Sequence, residues 1–283
     1  MEILVLGAGG MAGHMISIYL REQGHQVTGY SRKSLSYCDT FIGDAFHQET
    51  IVEAIRSKPY DAVVNAIGVL NRAVDHNLSE AILLNSYLPH FLADRLRNSA
   101  TRLIHLSTDC VFSGRTGNYH ENSVKDGETQ YDRTKALGEV IDSTNLTIRT
   151  SIIGPDRSES GIGLLNWFLK QKGPVNGYSS AIWTGVTTHT LAQAIQAALM
   201  EQLTGLYHLV NNSKISKFEL LSLFNRVLKL EPIDILPSDA VKLDKSLVNN
   251  RTDFSFRVPS YEEMLEQLKE WIDAHQELYP HYY

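Results

Sequence analysis

The sequence predicts an α/β protein: a doubly wound parallel sheet followed by a smaller C-terminal α/β part. Three observations carry that prediction. Short apolar runs alternate with longer amphipathic segments through the first half of the chain, the rhythm of strands joined by crossover helices. One of those runs, residues 61–67, is apolar on both faces, as a strand covered on both sides must be. A glycine-rich turn, Gly7-Ala8-Gly9-Gly10-Met11-Ala12-Gly13, separates the first apolar run from the first amphipathic segment.

Residues 3–6 read as a buried strand ended by glycines. Residues 12–23 follow as a helix, with Gly24 as its C-terminal stop. Residues 25–30 make the second strand, and a short third strand precedes Asp44. Residues 49–57 are helical, with Pro59 beyond their end, and 61–67 are the next strand. Residues 78–99 are mostly helical, broken or kinked near Pro89, whose ring and missing N–H interrupt the ladder. Residues 102–107 form a strand, 131–142 a helix and 146–149 another strand.

After Thr150 the pattern loosens, punctuated by Gly154, Pro155, Gly161, Gly163, Gly173, Pro174 and Gly177. Residues 190–202 predict a helix, 205–210 a strand, and 218–228 and 260–279 two amphipathic helices. The expected organisation is a dinucleotide-binding domain over 1–151, to which 180–212 return. A substrate-binding domain is expected from 152–179 and 213–283.

Composition narrows the functional classes. A chain of 283 residues fits two domains or one large one. Its 26 Lys and Arg face 32 Asp and Glu, a net charge of −6, which lacks the basic footprint of a nucleic-acid binder. Cys38 and Cys110 form no CxxC pair, which fits a reducing compartment and predicts a cytoplasmic location. No 18-residue apolar run without charge exists, so no membrane span is expected. Near the start, Glu2 and the interrupting glycines read as strand and turn, not as an export signal. The 11 histidines show no HExxH or paired spacing, so no metal is expected. Gly177-Tyr178-Ser179-Ser180-Ala181 lacks the second glycine of a nucleophile elbow. The aromatic tail, 279–283, either packs on the protein's own surface or forms an interface.

The glycine turn lies where a pyrophosphate would meet a helix N-terminus, with its free N–H groups and positive dipole end. No GK[ST] follows, which excludes a P-loop. A dinucleotide needs the ribose at the end of the second strand to be read as well. That strand ends Gly29-Tyr30-Ser31-Arg32-Lys33, with two cations and no carboxylate. Such a pair suits a 2′-phosphate, so the expected cofactor is NADPH (NADP+). Asp44, after the third strand, is a candidate for the adenine.

Tyr131 and Lys135 stand four residues apart and share one face of a helix. They follow a strand that ends Leu106-Ser107-Thr108-Asp109. Reduction of a ketone needs a proton donor at the forming alkoxide. A phenol beside a fixed ammonium is expected to have a lowered pKa. Thr108 would add a hydrogen bond to the same oxygen.

On these residues the chain resembles the extended short-chain dehydrogenase/reductases, and within them the dTDP-4-dehydrorhamnose reductase branch. The most specific stretches are Ser107-Thr108-Asp109-Cys110-Val111-Phe112-Ser113-Gly114 and Tyr131-Asp132-Arg133-Thr134-Lys135-Ala136-Leu137-Gly138-Glu139. The resemblance covers 1–149 and continues through Trp183-Thr184-Gly185-Val186-Thr187 and Asn250-Arg251-Thr252-Asp253.

It implies a Rossmann fold, with Tyr131 as general acid, Lys135 on the nicotinamide ribose and Thr108 on the carbonyl. Gly7, Gly10, Met11 and Gly13 would hold the pyrophosphate. Ser31, Arg32 and Lys33 would meet the adenosine ribose, and Asn65, Ala66 and Ile67 would lie along the cofactor. Asn85 would support the active-site region. Asp109, Ile152, Trp183 and Arg251 are the implied substrate contacts. Ile152 stands where the family reads RTSW, since this chain reads Arg149-Thr150-Ser151-Ile152. Trp183 either supplies an aromatic face to the sugar or packs in the core. Thr252 replaces the proline of the family's Arg-Pro step beside Arg251.

The implied activity is NADPH-dependent reduction of the 4-keto group of a nucleoside-diphosphate 6-deoxy sugar. Both dTDP-4-dehydrorhamnose and a UDP-linked 2-acetamido-2,6-dideoxy-4-keto sugar fit. Some family members use magnesium at a dimer contact; no carboxylate cluster here is assigned to it. The expected partner is a nucleotide sugar, with no nucleic acid and no membrane, and a homodimer is left open. The alternatives are a non-catalytic NADP-binding regulatory subunit and an epimerase or dehydratase of the same superfamily. Against the dehydratase, Thr108-Asp109 is followed by Cys110 rather than a second acid.

Overall fold

The computed structural model describes residues 1–283, apart from the side chains of residues 71 and 72. The chain begins β1 (Glu2–Leu6), α1 (Met11–Glu22), β2 (Gln26–Ser31), β3 (Asp39–Ile42), α2 (Gln48–Arg56) and β4 (Ala62–Asn65). Next come α3 (Asn71–His76), α4 (Leu78–Ala81), a π-helical turn over Ile82–Tyr87 and α5 (Leu88–Leu96). β5 (Arg102–Ser107) leads through a 3₁₀ turn at Asp109–Val111 to α6 (Gln130–Leu137) and β6 (Leu146–Arg149). The looser part holds β7 (Ile152–Ile153), α7 (Leu164–Leu169), β8 (Val175–Tyr178), β9 (Ala181–Trp183) and β10 (Val186–Thr187). It continues with α8 (Thr188–Met200), β11 (Gly205–His208), β12 (Ile215–Ser216), α9 (Lys217–Val227), β13 (Ile235–Ser238), β14 (Leu243–Asp244) and α10 (Tyr261–Ala274).

Seven strands form one parallel sheet in the order β11-β6-β5-β4-β1-β2-β3. The winding reverses between β1 and β4, so a crevice opens at the carboxyl ends of those two strands. Gly7, Arg32, Ala66 and Thr108 all leave the sheet along that one edge. One core cluster joins β1, α1 and α8 to Phe224 of α9 and Trp271 of α10. A second lies beneath α2 and α5, and a small third gathers Val111, Phe112, Tyr119, Val210 and Leu247. The C-terminal elements therefore share a core with one face of the sheet.

Three expected helices differ from the structure. The 131–142 helix stops at Leu137 because Gly138 presses on the π turn. A Cβ on Gly138 would lie 1.8 Å from the Asn85 carbonyl oxygen. The 78–99 helix changes pitch rather than simply kinking: Pro89 has no N–H for the carbonyl four residues back, and Leu88 N–H bonds Leu83 instead. The 260–279 helix ends at Ala274 and gives way to two 3₁₀ turns, Gln276–Leu278 and Pro280–Tyr282.

The second of those turns carries the aromatic tail back onto α1. Tyr279 is fully buried, and its hydroxyl donates to His14 Nε2 at 2.7 Å. His14 Nδ1 in turn donates to the Gly10 carbonyl at 2.9 Å. The tail is thus linked through one imidazole to the glycine turn.

Burial lowers His14 to about 4 and His208 to about 3, and holds His105 well below the usual range. All three are neutral in the folded chain at neutral pH and take up a proton on unfolding below about 6.5. The unfolded state then binds more protons, so stability falls as pH drops from about 6.5 toward 4. The loss is up to about 1.4 kcal/mol per pH unit per histidine. Urea unfolding at pH 7.5 and pH 5 is expected to show this decline, and His14→Gln to flatten it. An equal decline in that variant would remove His14 from the account.

Candidate active site

The glycine turn is built for close approach. Gly7 adopts φ +78°, and the N–H groups of Gly7 and Ala8 both donate to the Tyr30 carbonyl, at 3.1 and 3.2 Å. A Cβ on Gly13 would sit 2.1 Å from the Gly7 carbonyl oxygen, so only glycine lets α1 pack this tightly on the turn. Gly10 is the N-cap of α1 and supplies no side-chain cap, and the first helical turn carries no acid. Its N–H groups are therefore free for an anion.

Met11 is half-buried on that first turn. Ser31 ends β2 beside Gly9, and Arg32 and Lys33 follow it, both exposed. Asp44 lies just past β3, with Oδ1 accepting the Phe46 N–H at 3.1 Å. Asn65 Oδ1 accepts the Ile67 N–H at 3.1 Å, and Nδ2 donates to His105 at 3.2 Å. Ala66 and Ile67 pack directly on Gly7. These residues follow the carboxyl ends of β1, β2, β3 and β4, except Ser31 and Asn65, which close β2 and β4.

A second group meets at the end of β5. The Thr108 hydroxyl accepts the Cys110 N–H and donates to Asp109 Oδ1, both at 3.1 Å. α6 opens with a reciprocal cap: Thr129 accepts the Asp132 N–H, and Asp132 accepts that of Thr129, each at 3.1 Å. This sets Tyr131 in the first turn and Lys135 one turn later. Lys135 Nζ donates to the Leu106 carbonyl at 2.8 Å, pinning the helix to β5.

The Tyr131 phenol faces Thr108. Burial raises its pKa, Cys110, Asp109 and Asp132 raise it further, and Thr108 opposes them. The expected lowering by Lys135 is therefore absent from the folded chain. That ammonium is turned to the Leu106 carbonyl and is itself lowered to about 8 by burial, with Glu139 opposing. At neutral pH the phenol holds its proton.

Two further devices steady α6. Asn85 holds the Val69 backbone through both N–H and carbonyl, at 2.8 and 2.9 Å, and donates to Thr134 at 3.2 Å. Behind Lys135, Glu139 pairs with Arg149 through two bonds of 2.8 and 2.7 Å.

The implied substrate residues separate into two groups. Asp109 is buried beside Thr108; burial raises its pKa, while Lys245 and Lys217 oppose that. Ile152 is half-buried on β7, just past the carboxyl end of β6. Trp183 and Arg251 require correction. Trp183 is a core residue, 3% exposed, with Nε1 donating to Ser151 Oγ at 2.9 Å. Arg251 lies at the opposite end of the sheet from Thr108. Its guanidinium donates to the carbonyls of Thr204 and Leu206, around the start of β11, and to Asp253 at 2.9 Å. It lines an open cavity of about 410 Å³ with His120 and Glu121, and its charge is neutralised locally by Asp253.

The sequence reading missed Lys217 and Lys245, two cations of the C-terminal elements whose charges oppose the upward shift of Asp109. The only linear hint was Ser216-Lys217-Phe218-Glu219, the cap of α9, and a cap does not reveal what its first residue points at. Among the described residues no group of three His, Cys, Asp or Glu gathers as metal ligands do, and no helix is long and apolar enough to cross a membrane.

The chain as a whole is similar to several named proteins. The Bacillus subtilis (strain 168) "Spore coat polysaccharide biosynthesis protein SpsK" is 26% identical over 226 residues, covering 77% of this chain and 76% of that protein. A dTDP-4-dehydrorhamnose reductase of Streptomyces griseus is 27% identical over 291 residues, covering 98% of this chain and 92% of that one. Methionine adenosyltransferase 2 subunit beta of Xenopus tropicalis is 25% identical over 282 residues, covering 89% and 84%. The crystal structure of a Bacillus anthracis dTDP-4-dehydrorhamnose reductase in complex with NADP matches with a TM-score of 0.79 at 18% identity, covering 96% of this chain and 99% of that one. The family model described as the RmlD substrate binding domain matches residues 1–268, and the chain belongs to that family.

Proposed function

We propose that this protein is an NADPH-dependent reductase of the 4-keto group of a nucleoside-diphosphate 6-deoxy sugar. The carrying observation is the placement of Tyr131, in the first turn of α6, against Thr108 at the carboxyl end of β5, along the same sheet edge as the glycine turn. The reductase named for Streptomyces griseus and the polysaccharide protein of Bacillus subtilis support the same reading. In this reading residues 1–151 with 180–212 hold the cofactor, and 152–179 with 213–283 face the sugar nucleotide.

The residues present fit a dinucleotide. The uncapped N-terminus of α1 and the Gly7–Gly13 contact suit a pyrophosphate, and a Cβ at Gly13 would push α1 off the turn. Arg32 and Lys33, exposed beside Ser31, complement a 2′-phosphate. Asp44, Asn65, Ala66 and Ile67 flank the same crevice. When bound, NADPH supplies the hydride.

The chain's own residues manage the proton. Tyr131 donates its phenolic proton to the carbonyl oxygen as charge develops there, and Thr108 stabilises that oxygen with a hydrogen bond. Burial and the nearby acids keep the phenol protonated in advance, the state a general acid needs. Lys135, held by Leu106, lies one helical turn away, where a ribose hydroxyl would be oriented. Asp109 and Ile152 border the sugar's side of the site.

The Xenopus relative favours a second reading, a cofactor-binding subunit without turnover. NADPH consumption with dTDP- and UDP-linked 4-keto-6-deoxy sugars, with and without a 2-acetamido group, decides between them. Turnover of one member is expected; NADPH binding with no turnover on any supports the second reading. Tyr131→Phe is expected to retain NADPH affinity and lose about 10²- to 10⁴-fold in kcat. An active variant would end the general-acid assignment. Replacing Arg32 and Lys33 together with Ala is expected to weaken NADPH binding at least about tenfold more than NADH binding. Equal loss for both cofactors would end the 2′-phosphate assignment.

A further inference from the structure

We infer that residues 156–163 and the aromatic tail form a clamp on the cofactor's pyrophosphate, with Arg157 as the cation that meets it and Tyr282 as the residue that positions Arg157. The inference rests on the dinucleotide reading above. It adds a binding residue from the part of the chain otherwise assigned to the sugar nucleotide, and it gives the tail a role.

Residues 156–163 follow β7 and pass against the start of α1. A Cβ on Gly163 would lie 3.3 Å from Met11 Sδ, in the first turn of that helix. The segment is closed on itself by Asp156, whose Oδ2 accepts the Gly163 N–H at 3.0 Å. Asp156 thus turns its carboxylate inward. Of the segment's charged residues, Arg157 is the one that bonds toward the glycine turn.

The Arg157 guanidinium lies over the Tyr37 ring, with Cζ 4.8 Å from its centre, and Nη1 donates to the Tyr37 hydroxyl at 3.2 Å. That hydroxyl donates in turn to the Ala8 carbonyl at 2.7 Å. Two successive hydrogen bonds therefore join the guanidinium to the turn that cradles a pyrophosphate. Tyr37 is a buried platform, and its own carbonyl accepts from Arg21. A guanidinium carries five N–H donors. Among the described residues the Tyr37 hydroxyl takes one of them, and no carboxylate pairs with the others. A cation fixed by stacking, with donors to spare, suits phosphate oxygens. Its tie runs to Ala8 after β1, whereas Arg32 and Lys33 follow β2. The phosphates it meets are those that NADP+ and NAD+ share.

The tail sets where the segment stands. The Tyr282 hydroxyl accepts the N–H of Asp156, the residue before Arg157, at 2.9 Å. The Tyr282 ring stacks on that of Tyr279, with centres 6.0 Å apart, and Tyr279 is fixed to α1 through His14. One end of the tail thus grips the helix that opens the cradle, and the other grips the segment that carries the cation. Tyr282 acts through the Asp156 backbone, which makes it a positioning residue.

The test is calorimetric titration with NADP+, NAD+ and 2′-AMP, which carries the 2′-phosphate without the pyrophosphate. Arg157→Gln is expected to weaken NADP+ and NAD+ alike, by about tenfold, and to leave 2′-AMP unchanged. Arg157→Lys is expected to restore part of the loss. Tyr282→Phe is expected to weaken both dinucleotides about threefold. The double variant is expected to bind no more weakly than Arg157→Gln, because Tyr282 works through Arg157. Ligand-free melting temperatures close to that of the wild-type chain would report an intact fold. Unchanged dinucleotide affinity in Arg157→Gln, or a loss confined to NADP+, overturns the pyrophosphate contact. Additive losses in the double variant overturn the positioning role of Tyr282. Failure of the wild-type chain to bind either dinucleotide overturns the cofactor reading itself.

Discussion

The paired charges of Glu139 and Arg149 anchor the carboxyl end of the sheet. Their side chains are 0% and 1% exposed, and the contact is bidentate. Ser107 of β5 donates to Glu139 at 2.7 Å, and Arg149 of β6 donates to His208 of β11 at 2.8 Å. His208 in turn donates to the Val248 carbonyl at 3.0 Å. Three strands and the end of α6 are therefore registered through one buried network. Removing one partner of such a pair leaves an uncompensated charge and costs about 3–5 kcal/mol. The pair holds the end of α6, from which Lys135 reaches back to β5.

From that anchor the site is assembled by backbone contacts more than by side chains. Gly138 ends α6 against the Asn85 carbonyl, and Gly13 brings α1 onto the Gly7 carbonyl. In both places a methyl group would separate two elements whose distance sets the geometry. Asn85 then joins the loop after β4 to α6, so the two halves of the site are tied by one side chain. His14 performs a similar service for the glycine turn, with the Tyr279 hydroxyl as its support.

Much of the fold was legible because its signals are local. Residues 102–107 and 146–149 read as strands from short β-branched and leucine-rich runs set between amphipathic segments, and both strands form with those limits. The glycine turn was legible because steric demand acts on neighbouring residues. The end of α6 was not legible, since Gly138 is needed only because Asn85 arrives from 53 positions earlier in the chain. The expected lowering of the Tyr131 pKa rested on spacing alone. Spacing placed Lys135 on the same face but could not say that its ammonium turns to Leu106. Trp183 and Arg251 were read from motif position, and their surroundings are set by distant partners: Ser151 for one, the start of β11 for the other.

By itself, then, the sequence determined the doubly wound sheet, the glycine turn with its two following cations, and the grouping of Thr108, Tyr131 and Lys135. Each follows from periodicity, backbone sterics or helical spacing, which act over a few residues. Tertiary structure alone decided which charges are neutralised and which remain open. Arg251 is closed off by Asp253 and two carbonyls, whereas Arg32 and Lys33 stand exposed just past β2. A charge acts according to what surrounds it in three dimensions, and no spacing rule along the chain encodes that.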